Sequence, residues 1–529
     1  LAVSETTSAQ GGTLSLESAT KSKKPANWLK RAYNQIDKGI LALCLVFVLT
    51  LPLFTARIYA SDEIQYVSYL HSIVFDFDVD FTNEYEAYIA RDPQKYVGFK
   101  KDLLDKKNEN GLPINTGPIG SAILWSPFYL LAHGVASVGK TFSITKWAND
   151  GYSFPYEFAI TFGSLLYGFI GLILAYLFIR NFIPRFYAAF ATIVIWLASP
   201  VIFYLSLTPP MSHANSLFMI SLWLYVWYRT RGWHIDENGK FVPGQRSWGA
   251  WFALGIIGGL MTMVREQDGT TLIVAAIEAL YCYWIYFQAR DKSKPIFQLP
   301  AQIWSLFYRN VVFLGGLVIG IIPQIVIYYF LNGKPAPTKI VGDKLNYFEP
   351  TVIPQFLGLL FHPDHGMYWW SPVLVLAVTG LIMMLFNRKL RFIAIVLIAA
   401  YFMQLYISAG FQTWTMKGSF GARRLVGISP AFIAGLAYLA WWFVELSRKV
   451  QIPHKLKGRK PLIIAAGLLF VIWNIGLIIQ FSAIRNTETR QRLDPARVVV
   501  DQFTVVPGKI IEVGQKFFTS RSEFYQKGK

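Results

Sequence analysis

The stretch Ala56-Arg-Ile-Tyr-Ala-Ser-Asp-Glu-Ile-Gln-Tyr66, with its continuation to Asp80, marks the place where a long apolar run gives way to charge. The run Gly39–Ala60 stops there, and Asp62 and Glu63 follow where a membrane span would meet water. Read as a helix from Ser61, the segment puts Asp62 on one face with Tyr66 and Tyr69, four and seven positions on. Val67, Leu70 and Val74 form a neighbouring apolar stripe, the pattern of a helix lying on a bilayer surface. Two readings of the acids stand side by side. Either Asp62 is a reactive carboxylate beside two aromatic rings, or it merely caps the helix while Glu63 is solvated.

Working outward, the composition excludes an ordinary soluble domain. The 529 residues are 54% hydrophobic, 16% aromatic and only 15% charged, and apolar runs near the length of a bilayer crossing recur along the chain. The fold class expected is an all-α polytopic membrane protein. The first apolar run is too long for a cleavable signal and lacks a small-residue cleavage site. Cys44 and Cys282 both fall inside expected spans, so neither a disulfide nor a thiolate metal site is expected. A net charge of +19 would suggest nucleic acid in a soluble chain. Here much of it sits in short connections between apolar runs, where it sets topology and meets anionic lipid headgroups instead.

Residues 1–38 read as a disordered basic cytoplasmic tail. After the first span comes a long polar connection, 61–155. Within it Phe75-Asp-Phe-Asp-Val-Asp-Phe81 alternates with period two, an extended segment with Asp76, Asp78 and Asp80 on one side. Such a row could hold a divalent cation through oxygen ligands, although nothing else in the sequence indicates a metal. The segment Gly117–His133 is apolar enough to cross a bilayer, and charge decides its placement. If it crosses, the basic connections beginning at Arg229, Arg290, Arg388 and Arg448 fall outside; if it lies on the surface, all four fall in the cytoplasm. The positive-inside rule favours the second arrangement. About eleven transmembrane helices follow over 39–482, with two extracytoplasmic surface helices in the first loop and an extracytoplasmic tail, 483–529.

That parity gathers the ionisable segments on one outer face: Thr208-Pro-Pro-Met-Ser-His213, Arg265-Glu-Gln-Asp268, and Gln412-Thr-Trp-Thr-Met-Lys-Gly-Ser-Phe-Gly-Ala-Arg-Arg424. The last sets Lys417, Arg423 and Arg424 in an outer loop against the charge rule, which an anionic substrate would explain. Arg265 either snorkels to headgroups or offers a fixed guanidinium to a lipid phosphate. His213 and His365 are structural residues or site residues, and no HExxH or CxxC spacing supports a metal. Glu278, mid-span, is functional or half of a buried pair. No nucleotide, hydrolase-elbow or nucleic-acid motif has a credible context.

The order of these features resembles the GT-C superfamily of polyprenyl-phosphate-sugar-dependent glycosyltransferases, most closely its protein-mannosyltransferase and aminoarabinose-transferase-like branch. The pieces that carry the resemblance are Ser61-Asp-Glu63, Phe77-Asp-Val-Asp-Phe-Thr-Asn-Glu-Tyr85, Asn115-Thr-Gly-Pro-Ile-Gly120 through Leu124-Trp-Ser-Pro-Phe128, His365-Gly-Met-Tyr-Trp-Trp-Ser-Pro372 and Gly418-Ser-Phe-Gly-Ala-Arg-Arg424. The resemblance implies a plasma-membrane enzyme with an extracytoplasmic site that moves a sugar from a polyprenyl-phosphate donor to a glycan, lipid or protein acceptor. It also implies a catalytic carboxylate at Asp62, with Glu63 beside it. On this reading Arg265, Lys417, Arg423, Arg424 and His365 are candidates for the donor phosphate, and Tyr66, Tyr69, His213 and Trp414 for the acceptor and sugar. Many relatives carry a second acid where this chain has Pro-Pro-Met-Ser-His213, a departure that speaks against a metal-assisted mechanism. The competing class is a transporter or flippase of a lipid-linked or anionic substrate. Such proteins are built from repeated halves with broken helices meeting at the midplane, and no repeat is visible here.

Overall fold

The computed structural model describes residues 37–519 apart from 95, 292, 294–298, 344–348, 350–351, 364, 417, 450–458, 485–492 and 494. The expected N-terminal tail, Lys417 and most of the basic connection after Arg448 lie outside the described residues. Each apolar run read from the sequence forms a helix: α1 (Lys38–Thr50), α5 (Phe154–Ile179), α6 (Arg185–Leu197), α7 (His213–Arg229), α8 (Trp248–Val264), α9 (Ile273–Gln288), α10 (Ala301–Asn332), α12 (Val373–Met384), α13 (Arg391–Ala409), α14 (Ser429–Lys449) and α15 (Arg459–Ile484). Between them lie α2 (Ser61–His71), α3 (Thr82–Arg91), α4 (Gly120–Thr141) and α11 (Val352–Phe361), and α16 (Val498–Thr504) and α17 (Val506–Thr519) close the described chain. Six helical segments are long and apolar enough to cross a membrane, α4 among them by length and composition although its charge context favours the surface, and large apolar side chains such as Leu314, Val318, Leu469 and Ile472 face outward from two of the others. The protein is an all-α polytopic membrane protein. The sole sheet among the described residues is a two-stranded hairpin, β1 (His234–Ile235) with β2 (Phe241–Val242).

Lipid is as apolar as leucine, so these helices associate through close backbone approach and satisfied polar groups rather than by hydrophobic exclusion. Helices α8 and α10 meet through glycines spaced four apart, Gly255 and Gly259 against Gly316 and Gly320. A Cβ on Gly255 would stand 2.2 Å from the Phe313 carbonyl oxygen. The intramembrane acid Glu278 is half of a buried pair. Arg246, from the loop between β2 and α8, donates to it at 2.8 Å, and Trp227 Nε1 donates to the same carboxylate at 2.5 Å.

The first loop has a core of its own. Ile64, Val67, Tyr69 and Leu70 of α2 pack with Phe81, Tyr85, Trp125, Tyr129 and Tyr156. Helix α4 runs antiparallel to the first half of α5. Trp125 Nε1 donates to Ser164 Oγ at 2.7 Å, and His133 Nδ1 meets the Tyr156 hydroxyl at 2.8 Å. The start of α4, at Gly120, abuts the backbone of Met263 and Val264 where α8 ends. The far half of α5, where Tyr176 and Arg180 reach Asp37 beside α1, has no α4 alongside it.

Two expectations are corrected. The segment from Phe75 to Phe81 is not extended: Ser72–Asp76 form one wide helical turn and Phe77 takes a left-handed backbone, φ 59°. The three acids therefore diverge, because each finds a local donor. Asp78 accepts from Ser72 Oγ, Asp80 accepts from Thr82 ahead of α3, and Asp76 turns back to His71. The C-terminal segment is likewise more than a tail. Helix α16 docks on α15, with Gln480 donating to the Val498 carbonyl and Gln502 to that of Trp473.

Candidate active site

The start of α2 separates its two acids. Glu63, at the third helical position, accepts from the backbone N–H groups of Tyr59 and Ala60, both at 2.9 Å. This is the reciprocal half of a capping box. Its side chain is fully buried, and burial pushes its pKa up to about 7 against the pull of those two N–H donors and of Arg57. The capping role thus falls to Glu63, and Asp62 is left to face outward. Its carboxylate, 42% exposed, meets Arg423 Nη2 at 3.2 Å.

Arg423 begins a short turn, Arg423–Leu425, at the end of the loop that follows α13. The loop's path depends on Gly421, whose φ of +56° brings its Cα against Pro200 and Trp370. A Cβ there would be strained and would lie 2.9 Å from Pro200 Cγ. Phe420 stacks on Phe203 at 4.7 Å, and its N–H donates to the Tyr204 hydroxyl at 2.9 Å. The hydrogen bond from His365 Nε2 to the Ser419 carbonyl, 3.0 Å, ties in the loop from its other side.

Arg265 lies just past the end of α8, where the backbone turns extended. Its Nη1 donates to Ser212 Oγ at 3.2 Å and to His213 Nδ1 at 3.0 Å. Accepting from a guanidinium fixes the His213 proton on Nε2, which is buried and has no hydrogen-bond partner among the described residues. Tyr66 is half-buried among these groups, within electrostatic reach of Asp62, Arg265 and Arg423. Gln267 bridges the next layer, donating to Gln404 of α13 at 2.9 Å and to the Arg424 carbonyl at 2.7 Å. Arg424 itself donates to Thr413 Oγ1 at 3.0 Å and lies over the Phe411 ring.

Asp62, Tyr66, His213, Arg265, Arg423 and Arg424 are thus brought together from four separate stretches of chain. The other predicted residues lie elsewhere. Tyr69 is fully buried in the first-loop core, where its hydroxyl donates to the Gly117 carbonyl at 2.9 Å. Trp414 packs edge-on against His362 over Gly358 of α11. His365 stacks on Trp370. Sequence reasoning placed Gln267 and Asp268 in an outer-face segment without giving either a role and passed over Gln404; Asp268 is fully buried, with neither oxygen at hydrogen-bond geometry among the described residues. A signal existed for each, since Gln404 interrupts an apolar run and Asp268 follows Arg265 at a span end.

No family model and no curated protein matches this chain. Distant likenesses exist among solved structures. The archaeal oligosaccharyltransferase AglB of Archaeoglobus fulgidus, in complex with an inhibitory peptide and a dolichol-phosphate, aligns at 13% identity with a TM-score of 0.43, over 85% of this chain and 55% of that one. This chain therefore spans about half the length of that enzyme. ArnT of Cupriavidus metallidurans in its apo state aligns at 13% identity and a TM-score of 0.40, over 92% of this chain and 76% of that one. The same protein bound to undecaprenyl phosphate aligns at 11% identity and 0.37.

Chemically, the cluster offers one part-exposed carboxylate, three guanidinium groups and, among the described residues, a buried His213 Nε2 without a hydrogen-bond partner. A polar, anionic ligand would satisfy both the cations and the orphaned nitrogen.

Proposed function

We propose that this protein is a glycosyltransferase that moves a sugar from a polyprenyl-phosphate carrier to an acceptor hydroxyl outside the cytoplasm. The observation that carries the reading is the 3.2 Å pairing of Asp62 with Arg423, with Arg265 held close by through Ser212 and His213. One small volume then contains a base and the cations that a phosphate leaving group needs.

In the reaction the acceptor oxygen bonds to the anomeric carbon as the bond from that carbon to the phosphate oxygen breaks. The electron pair leaves with the phosphate, and the acceptor proton passes to Asp62. Positioned general-base catalysis of this kind contributes about 10²–10⁴ in rate. Arg423, Arg265 and Arg424 face the developing phosphate charge, where one well-aimed donor is worth roughly 3–4 kcal/mol. The leaving group is a phosphate, a weak base, so no acid is required to protonate it. A single displacement inverts the anomeric centre.

The existing ion pair gives the order of events a physical basis. An arriving phosphate competes with Asp62 for Arg423, so donor binding loosens the carboxylate that must take the proton. Tyr66 and the Nε2–H of His213 supply polar contacts for sugar hydroxyls. Glu63 supports Asp62 by holding the first turn of α2.

Intact-mass analysis of envelope glycolipids and glycoproteins, with and without this protein, tests the reading. Loss of one sugar mass from an acceptor, with retention of the polyprenyl-phosphate donor, is expected. An unchanged acceptor profile accompanied by donor stranded on the cytoplasmic side would identify a flippase.

A further inference from the structure

The far end of α2 gathers a second set of side chains that the proposed transfer does not use. His71 is its last residue, Asp76 ends the wide turn that follows, and Glu84 lies in the first turn of α3. His71 Nδ1 is 2.8 Å from Glu84 Oε1 and 3.1 Å from Asp76 Oδ2, and one ligand atom from each residue lies within 4.8 Å of the others. We propose that His71, Asp76 and Glu84 bind a divalent transition-metal cation, zinc by preference, which clamps α2 to α3.

Hydrogen bonding alone serves this arrangement poorly. A single Nδ1–H cannot be well aligned on two carboxylates at once. Glu84 is fully buried, yet its second oxygen, Oε2, has no hydrogen-bond donor among the described residues. A buried carboxylate oxygen left in that condition is costly. A cation among the three groups would answer both problems, taking the imidazole nitrogen as a donor atom and neutralising two acids that face one another.

The donor set selects the ion. One imidazole and two carboxylates suit zinc, at about 2.0–2.2 Å per bond, with water as the fourth ligand. Calcium and magnesium favour oxygen-only shells. Tetrahedral zinc sets its ligand atoms about 3.3–3.5 Å apart, so the two separations from His71 Nδ1 need to open by only a fraction of an ångström, and the two carboxylate oxygens lie within 4.8 Å of one another.

The surroundings are those of a built site. The His71 ring is sandwiched between Phe75, 4.7 Å away and nearly parallel, and Tyr152, 4.2 Å away. That stacking holds the imidazole edge toward the acids. Asn83 Nδ2 donates to Asp76 Oδ2 at 2.9 Å, the kind of outer contact that orients a metal-bound carboxylate. The Asp76 side chain, 30% exposed, gives the ion a route in.

The test uses the full chain purified in detergent, stripped with a chelator and dialysed against micromolar free zinc with magnesium in excess. Retention of about one zinc per chain is expected, with binding at least tenfold weaker in Asp76→Asn and His71→Gln, the scale of a lost ligand or orienting contact. Zinc should also raise the thermal midpoint of the wild-type chain and not that of Asp76→Asn. Because Asp76 is the most exposed of the three, its variant decides the matter even where His71→Gln fails to fold. Failure of the wild-type chain to retain zinc overturns the proposal, as does retention by Asp76→Asn equal to wild type.

Discussion

Replacing Glu63 with Gln separates the work of holding α2 from the chemistry proposed for its neighbour. Gln keeps an oxygen for the Tyr59 and Ala60 N–H groups but removes the ionisation. In the folded chain burial raises the Glu63 carboxyl from its ordinary 4.5 to about 7. Between those two values the folded chain holds a proton that the unfolded chain has lost, so stability falls as pH rises through that window. Above pH 7 the decline is complete. A rise of that size corresponds to about 3 kcal/mol at 1.36 kcal/mol per pH unit. Glu63→Gln should therefore match wild type near pH 4.5 and exceed it above pH 7, by a few degrees in thermal midpoint for a chain of this length. Thermal unfolding of both proteins in detergent, followed by tryptophan fluorescence across pH 4.5–8, reads this directly. Turnover of Glu63→Gln should stay within several-fold of wild type, since its bonded oxygen faces backbone N–H groups. Parallel pH profiles would refute the reasoning, as would a variant much less stable at every pH, because Glu63 would then act as an ionised cap.

The remaining predictions concern the cations, the topology and the buried pair. Arg423→Gln and Arg424→Gln should each weaken use of a lipid-linked donor by about tenfold or more while leaving the fold intact. Lys at either position should rescue only in part, because the guanidinium fork is lost; unchanged donor use in both single variants and the double variant would assign them to headgroup contacts. A cysteine introduced near Lys146 should be labelled from outside intact cells, since α4 lies beside only the outer half of α5 under the charge-derived topology. Protection until the membrane is permeabilised would reverse that topology and the side of the site with it. Glu278→Leu alone should cost about 3–5 kcal/mol by stranding Arg246, whereas adding Arg246→Met should recover most of the loss. Equal stability of the single and double variants would show that a stranded Arg246 is not the source of the loss.

The fold was largely legible because a helix that faces lipid must be apolar over a fixed length, so composition alone locates it. Each expected apolar run is a helix. Within the candidate site, Asp62, Arg265, Arg423 and His213 could be placed on one face because their segments all follow or precede such runs. What local pattern could not supply was the direction of each side chain. Nothing in Ser61-Asp-Glu63 says which acid turns back to Tyr59 and Ala60; the answer depends on the chain entering α2 with extended backbone at Ala60. The alternation from Phe75 to Phe81 points to an extended segment, yet Ser72, Thr82 and His71 offer the three acids separate donors and the chain coils instead. Tyr69 shares a helical face with Asp62 but lies seven positions along it. That is far enough for the Gly117 carbonyl to claim its hydroxyl.

The central claim is that Asp62 takes the acceptor proton, and the turnover of purified Asp62→Asn with a polyprenyl-phosphate-linked sugar tests it most directly. Asn preserves size and can still accept from Arg423, but it cannot receive a proton. The account predicts a fall in turnover of about 100-fold or more with donor affinity little changed. A variant that transfers sugar at nearly the wild-type rate would contradict it.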